Sequence, residues 1–174
     1  KEKADILELG FSTFYLNRVN HSGIIKGGVI GGMSQEGTYK MDCRFTKKNL
    51  IKQVRNIALM KDKIEFYNMD VIDFIDEILP NKPLDSFLFI DPPYYKKGPW
   101  LYVNSYNHED HLRLSEKIKN AINQHWIITY DSVVEIKNMY ADKNQREFDI
   151  NYSLREKGTG VEVMIFSDNI TSTF

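Results

Sequence analysis

One cysteine, Cys43, occurs in the 174 residues of the chain, which excludes an internal disulfide and a zinc site built from several cysteines. No uninterrupted apolar run approaches the ~20 residues that a membrane-spanning helix requires. No segment has the pattern of a secretory signal peptide either. We therefore expect no membrane partner and a reducing, cytoplasmic setting.

An excess of charge of either sign is also missing, since the formal net charge is −1, but the charges are unevenly distributed along the chain. Residues 11–63 carry ten Lys or Arg against three acids, whereas residues 64–174 carry eleven against eighteen, which gives +7 and −7. A basic segment of this size attracts a phosphate backbone without reading its sequence. A solvated surface of amphipathic helices would carry the same charges, and on charge alone both interpretations stand.

The tetrapeptide Asp91-Pro92-Pro93-Tyr94 is the most informative motif in the chain, because each of its residue types is scarce in average proteins. It follows the apolar run Phe87-Leu88-Phe89-Ile90, which predicts a buried parallel strand over residues 86–90. Open α/β sheets place their ligands at the carboxyl ends of such strands, which indicates a ligand site at this loop. A proline turn in which Asp91 is a cap and Tyr94 packs against the strand is the structural alternative.

The chemistry of a nucleobase amine explains why these residue types occur together. The lone pair of an exocyclic amine is delocalised into the ring, so an enzyme must draw the nitrogen toward tetrahedral geometry before it can attack. The Asp91 carboxylate and the Pro92 carbonyl can each accept one N–H of the amine, and neither proline has an N–H that competes for them. Pro92 and Pro93 hold the acceptors still, and Tyr94 offers a flat face for a flipped-out base. We interpret these four residues as catalytic.

Four further stretches accompany this motif. They are residues 14–18 (Phe-Tyr-Leu-Asn-Arg), 67–70 (Tyr-Asn-Met-Asp), 128–131 (Ile-Thr-Tyr-Asp) and 161–166 (Val-Glu-Val-Met-Ile-Phe). Together with Asp91-Pro92-Pro93-Tyr94 they make the chain resemble the amino-directed, S-adenosylmethionine-dependent DNA methyltransferases, and more narrowly the Dam-type (alpha-class) adenine-specific enzymes. The resemblance extends over nearly the whole chain, although only the tetrapeptide is highly specific. It implies methyl transfer from S-adenosylmethionine to the N6 amine of adenine in double-stranded DNA.

The resemblance also implies which residues bind the cofactor. Asp70 would accept a hydrogen bond from the adenine amino group of S-adenosylmethionine, Val71 would pack beside that ring, and Asp91 would border the cofactor as well. Asp70 is at the same time a good N-cap for a helix that begins at Val71, and the two roles are compatible.

The candidate DNA contacts fall into two groups. Those that match positions of the family's recognition region are Asn17, Arg18 and Lys26. Those that follow the catalytic loop, where they could grip a flipped nucleotide or its phosphates, are Tyr95, Lys96 and Lys97. Arg18 could equally anchor a loop by pairing with an acid, and a mobile surface loop is the alternative for the second group.

The order of apolar and turn segments predicts an α/β fold. The predicted strands cover residues 64–69, 86–90, 126–130, 146–152 and 161–166. The predicted helices cover residues 71–79 and 132–140, and a third runs from its expected N-cap Asn107 to residue 122. The last two strands should form an antiparallel hairpin with Gly158 and Gly160 in its turn. The resemblance implies a Rossmann-like methyltransferase sheet, mostly parallel with an antiparallel C-terminal hairpin, whose first two strands are missing.

This pattern divides the chain into two parts. We assign residues 1–62 to part of the DNA-recognition region, with a glycine-rich basic loop and a helix that follows the N-cap Thr46. We assign residues 63–174 to the C-terminal part of the methyltransferase catalytic domain.

A glycine-rich cofactor loop is not evident in the sequence, although the resemblance implies one ahead of the recognition region. Gly27, Gly28, Gly31 and Gly32 do not follow a buried strand, so we assign them to a loop near nucleic acid or to a structural turn. In the family, the missing first strand lies beside the strand that ends at Asp91, and its absence would expose an apolar edge. We therefore expect a further N-terminal portion or a second chain to complete the sheet.

The pair His108 and His111 invites a metal interpretation, which we reject. Two histidines three residues apart, with no further ligand at a sensible spacing, are more often solvent-facing, and methyl transfer from a sulfonium needs no metal. Two functional alternatives remain open. One is an amino-methyltransferase that acts on cytosine N4 or on RNA, and the other is a non-catalytic or truncated module that binds nucleic acid.

Overall fold

The computed structural model describes residues 5–96, 98, 104–152, 158–168 and 170. These residues form two compact units. The first holds residues 5–66, and the second holds the described residues from 67 onward. Among the described residues, no helix has both the length and the apolar character needed to cross a membrane.

The first unit consists of two helices joined by the glycine-rich loop. Helix α1 covers Ile6–Val19 and helix α2 covers Lys47–Ala58, directly after the predicted N-cap residue Thr46. Between them, a single antiparallel bridge joins Asn20 to Val29. The loop requires glycine at position 31, where φ is +90° and an added Cβ would lie 2.7 Å from the backbone oxygen of Tyr39.

The second unit is built on a four-stranded sheet with the order β1-β2-β4-β3. The strands are β1 (Phe87–Ile90), β2 (His125–Asp131), β3 (Asn144–Tyr152) and β4 (Gly158–Phe166). β1 and β2 pair in parallel, whereas β4 pairs antiparallel with both β2 and β3. The α/β class is therefore correct, but the prediction of a mostly parallel sheet is wrong for the strands that the structure describes.

Two local predictions also differ from the structure. Residues 64–69 were expected to form a strand, yet none of the described strands pairs with them, and an extended segment without a neighbour lacks the ladder that defines a strand. Gly158 and Gly160 were expected in the hairpin turn, but they lie within β4 opposite Tyr152 and Ile150. Strand pairing includes both glycines, since β4 begins at Gly158. Glycine permits a turn without requiring one.

Three helical segments accompany the sheet. The first begins as α3 (Val71–Asp73), continues through a wider π-helical stretch at Phe74–Ile78 and ends in the 3-10 turn Leu79–Asn81. Helix α4 (His108–Ala121) and helix α5 (Val134–Met139) follow β1 and β2 respectively. All three occur where the sequence predicted helices.

The core of the second unit lies between these helices and the sheet. Its side chains are apolar or aromatic and come from α4, from α5 and the residue that follows it, and from β2 and β4; the most deeply buried are Leu114, Ile118, Ile128, Tyr130, Ile136, Tyr140, Val163 and Ile165. Strand β2 is buried along most of its length and occupies an interior position in the sheet. Its carboxyl end is therefore a rigid platform for the loop that follows β1.

Candidate functional site

Strand register places the Asp91 carboxylate beside a hydroxyl. Ile90 of β1 pairs with Ile128 of β2, so Asp91 and Thr129 are the next residues along two parallel strands. The Thr129 hydroxyl donates a hydrogen bond to Asp91 Oδ1 at 3.2 Å. Asp91 is exposed, and no ion pair to it is present among the described residues. Its carboxylate is therefore available to an amine that approaches from solvent.

The two prolines after Asp91 lie against the body of the second unit. Pro92 is buried and Pro93 is half-buried, so the carboxyl end of β1 is followed by a stiff, packed segment. The N–H of Gly98 donates to the Tyr94 carbonyl at 2.8 Å, which closes one turn of chain directly after the tetrapeptide.

Tyr94 is fixed through its hydroxyl group. That hydroxyl donates to Oε1 of Glu162 on β4 at 2.7 Å, although 68 residues separate the two in sequence. Tyr94 is half-buried, while Glu162 is buried in the sheet. The position of the ring is thus set by a strand that lies two places away from β1.

The backbone after Tyr94 is held by a second buried acid. Asp131, the last residue of β2, accepts hydrogen bonds from the backbone N–H groups of Tyr95 and Lys96, at 2.8 Å on Oδ1 and 2.9 Å on Oδ2. Asp131 and Glu162 are register partners across the β2–β4 pair. The two acids therefore lie side by side beneath the loop.

A cluster of aromatic rings and imidazoles borders this loop. The Tyr95 hydroxyl lies 2.8 Å from His108 Nδ1, and the Tyr130 hydroxyl lies 3.0 Å from His111 Nδ1. The His111 ring centroid is 5.1 Å from that of Tyr95 and 5.3 Å from that of Tyr106. The expectation that both histidines face solvent is wrong for His111, because the start of α4 turns it into the core.

Burial also sets the charge state of this cluster. Burial lowers the pKa of His111 below its ordinary value of 6.5, against the opposing effects of Asp131 and Asp110, so the imidazole is neutral at neutral pH. Its Nε2 atom is buried and has no hydrogen-bond partner among the described residues. The described residues contain no group of three or more His, Cys, Asp or Glu side chains arranged to hold a metal ion.

Asp70 is the N-cap of α3, which is one of the two roles predicted for it. Its Oδ1 atom accepts a hydrogen bond from the Ile72 N–H at 2.8 Å at the start of α3. Burial raises the pKa of Tyr106, and the nearby Asp70 carboxylate raises it further. Asp70 thus lies near Tyr106, whose ring contacts His111, so the structure brings Asp70 toward the loop that contains Tyr95. Its neighbour Val71 is half-buried.

The predicted DNA contacts in the first unit differ in their availability. The Asn17 side-chain amide donates to the Gly23 carbonyl at 3.2 Å. The Arg18 guanidinium donates twice to the Arg44 carbonyl, at 3.2 and 3.0 Å, so it anchors a loop, but through a backbone carbonyl and not through the acid that the structural alternative predicted. The Lys26 side chain is exposed, so among the three predicted contacts it is the cation most accessible to a phosphate.

In the second unit, the predicted contacts continue the loop that Asp131 holds. Tyr95 is half-buried, Lys96 is exposed, and Lys97 lies outside the described residues. Of the two lysines predicted to contact DNA after the tetrapeptide, Lys96 is therefore the one whose position the structure describes.

The sequence interpretation missed three residues that contact the loop, namely Thr129, Asp131 and Glu162. A signal for them exists, since polar side chains at positions 129 and 131 alternate within a buried strand and Glu162 interrupts an apolar run. Buried polar groups of this kind normally have partners, which makes them informative.

A scan of protein-family models and a search of curated proteins found no match to this chain.

Proposed function

We propose that this protein transfers a methyl group from S-adenosylmethionine to the exocyclic N6 amine of adenine in DNA. The observation that carries the proposal is the exposed Asp91 carboxylate at the carboxyl end of β1, oriented by Thr129 and followed by two prolines and a tethered Tyr94. The arrangement supplies fixed acceptors for an N–H group and an aromatic surface beside them. Those are the features that an attacking nucleobase amine needs.

Each residue of the tetrapeptide has a distinct role in the proposed reaction. The target base is flipped out of the duplex and stacks on the Tyr94 ring. Asp91 and the Pro92 carbonyl each accept one amine N–H, which localises the nitrogen lone pair and directs it toward the methyl group. The amine becomes acidic only once it is methylated, so no strong base is needed before the transfer.

The residues near α3 fit a role in holding the cofactor. Asp70 is exposed and uses Oδ1 for the helix cap, and its Oδ2 has no hydrogen-bond partner among the described residues. A carboxylate oxygen in that state can accept a hydrogen bond from an adenine amino group, with Val71 beside the ring. When bound, S-adenosylmethionine supplies an activated methyl group on a sulfonium, which carries its own leaving group.

The first unit supplies the proposed attraction for DNA. Residues 11–63 carry a net charge of +7, and Lys26 is exposed on the glycine-rich loop. Neutralising phosphates with such side chains releases counterions and gives affinity that does not depend on sequence. We place double-stranded DNA as the partner of this unit on that basis.

The sheet itself supports the proposal of a further partner segment. β1 is the outer strand of the described sheet, and the alternate side chains Phe87 and Phe89 are 57% and 62% exposed. An edge strand with apolar side chains on both faces resembles an interior strand that lacks its neighbour. A further N-terminal portion or a second chain would complete it.

The decisive experiment compares Asp91→Ala with the matched control Asp149→Ala, which alters an exposed acid on β3. Both variants and the wild type are incubated with methyl-labelled S-adenosylmethionine and DNA, and the DNA is digested to nucleosides. We expect N6-methyladenine from the wild type and the control, and none from Asp91→Ala, while all three bind DNA equally.

Other outcomes of this experiment would favour one of the two alternative functions. Detection of N4-methylcytosine or of methylated ribonucleosides would show that the methyl acceptor is a cytosine amine or an RNA base instead of adenine in DNA. DNA binding without methyl transfer, together with no heat of binding for S-adenosylmethionine in calorimetry, would identify a non-catalytic binding module. Retained turnover in Asp91→Ala would refute the role of the tetrapeptide.

A further inference from the structure

Two buried acids, Asp131 and Glu162, lie next to each other beneath the loop that follows β1. Asp131 and Glu162 are 5% and 4% exposed, and they face each other across the β2–β4 register. A carboxylate is costly to bury unless hydrogen bonds satisfy it, and like charges opposite each other on a sheet are unfavourable. Both acids accept hydrogen bonds from residues of the loop, which offsets that cost.

We propose that Asp131 and Glu162 are positioning residues, which hold the segment from Tyr94 to Lys96 in its working geometry before substrate binds. The inference rests on the proposed function, because it assigns these acids a role in the same methyl transfer. Neither acid needs to touch the base or the cofactor.

Asp131 fixes the backbone of the segment. Its two oxygens accept from two successive N–H groups, those of Tyr95 and Lys96, so both the position and the orientation of the peptide between them are set. An ionised carboxylate accepts on both oxygens, whereas an asparagine amide accepts on one and donates from the other. Asp131→Asn therefore keeps the size of the side chain and must lose one of the two hydrogen bonds.

Glu162 fixes the ring of Tyr94. The hydrogen bond at 2.7 Å holds the ring by the hydroxyl, at the end farthest from the backbone, so the ring cannot swing about its side-chain torsions while the bond is made. A platform that is already oriented spares the reaction the entropic cost of ordering it. Tyr94→Phe keeps the stacking surface and removes this one tether.

The first test measures the geometry directly, without any assay of activity. Amide hydrogen exchange followed by NMR should show that the N–H groups of Tyr95 and Lys96 are protected in the wild type and exchange at least about tenfold faster in Asp131→Asn. The amides of β2 should keep their protection in the same variant. Asp149→Asn, the same change at an exposed position of β3, should leave Tyr95 and Lys96 protected.

The second test separates positioning from binding. Single-turnover methyl transfer should slow by about tenfold or more in Asp131→Asn and in Tyr94→Phe, as the loss of a hydrogen bond to a charged group predicts. The dissociation constants for DNA and S-adenosylmethionine should stay within about twofold of the wild type, because the altered atoms position the loop and form no cofactor contact. A residue with a purely structural role would alter stability without this selective loss in the chemical step.

A double-mutant cycle tests the Glu162 tether and does not depend on Asp131→Asn being folded. Tyr94→Phe and Glu162→Met, which keeps the length of the side chain without an acceptor, should each slow transfer, and the double variant should be no slower than the worse single variant. Additive losses would overturn the role of Glu162.

Unchanged amide exchange and an unchanged rate of methyl transfer in a folded Asp131→Asn would overturn the role of Asp131. Failure of Asp131→Asn to fold would count against positioning as its main role. A wild type that shows protected amides but no methyl transfer would refute the proposed function while leaving the loop anchor intact.

Discussion

The Thr129 hydroxyl of β2 donates a hydrogen bond at 3.2 Å to the carboxylate of Asp91, the residue that follows the parallel strand β1. The contact is a direct result of the register in which Ile90 pairs with Ile128. Thr129 is buried, while Asp91 is exposed, so the buried partner holds the exposed one in place. The orientation of the proposed catalytic carboxylate is thus fixed from within the sheet.

Replacing this hydroxyl should impair the reaction selectively. Thr129→Val keeps the shape of the side chain and removes the donor, and we expect single-turnover methyl transfer to fall about tenfold. Thr129→Ser keeps the donor and should stay close to the wild-type rate. Equal rates in the Val and Ser variants would show that Asp91 needs no such support.

Local signals were sufficient to predict some elements of this fold. Asn107 was expected to cap a helix, and its side chain accepts from the Asp110 N–H at 3.0 Å while the Asp110 carboxylate accepts from the Asn107 N–H at 2.9 Å. A cap depends on residues three apart, so it is visible in the sequence. The tetrapeptide was visible for the same reason.

Features that depend on distant pairing could not be predicted in this way. The pairing of Asp131 with Glu162 depends on the β2–β4 register, which joins residues more than thirty positions apart. The expected strand at residues 64–69 failed on the same ground, since its apolar pattern does not supply a neighbouring strand. His111 shares its helix with exposed residues, and only the packing of α4 shows that it is buried.

The reciprocal cap at Asn107 gives a prediction about stability. Asn107→Ala should lower the free energy of unfolding by about 1 kcal/mol, because it leaves the Asp110 N–H without its acceptor. Asn107→Ser should recover most of that loss, since serine also caps helices well. Urea denaturation followed by circular dichroism measures both changes. A loss in the Ser variant as large as that in the Ala variant would mean that capping is not the cause.

Acidification should destabilise the second unit through His111. The folded pKa of this imidazole is lowered by burial, whereas the unfolded chain takes up its proton near the ordinary value of 6.5. The unfolded state therefore binds more protons below that pH, and stability present above it is lost as the pH falls toward the folded pKa.

The measurement compares the pH dependence of unfolding in the wild type and in His111→Phe. The variant loses the hydrogen bond to Tyr130, so its absolute stability will fall, but the slope between pH 7 and pH 5 should become shallower. Asp110, Asp131 and His108 remain in both proteins and supply a common background. Identical slopes would assign the acid sensitivity to those other groups.

The apolar edge at β1 should make the chain self-associate when it is studied alone. Phe87 and Phe89 lie exposed on the same face of an edge strand, where backbone groups can pair with another chain. Sedimentation velocity should show concentration-dependent association, and Phe89→Lys should reduce it. Val134→Lys, which changes an exposed apolar residue on α5, is the matched control and should have little effect. Equal association in both variants would place the contact elsewhere.

The salt dependence of DNA binding distinguishes a phosphate contact from a loop anchor in the first unit. Lys26 is exposed, so Lys26→Ala should weaken DNA binding for all sequences and reduce the slope of log K against log salt by ~0.9, the value for one released counterion. Arg18 donates two hydrogen bonds to the Arg44 carbonyl, so Arg18→Ala should mainly lower thermal stability. Lys137, which pairs with Glu147 in the second unit, provides a control whose removal should leave the slope unchanged. An unchanged slope in Lys26→Ala would show that Lys26 makes no phosphate contact. A reduced slope in a stable Arg18→Ala would show that Arg18 contacts a phosphate in addition to the Arg44 carbonyl.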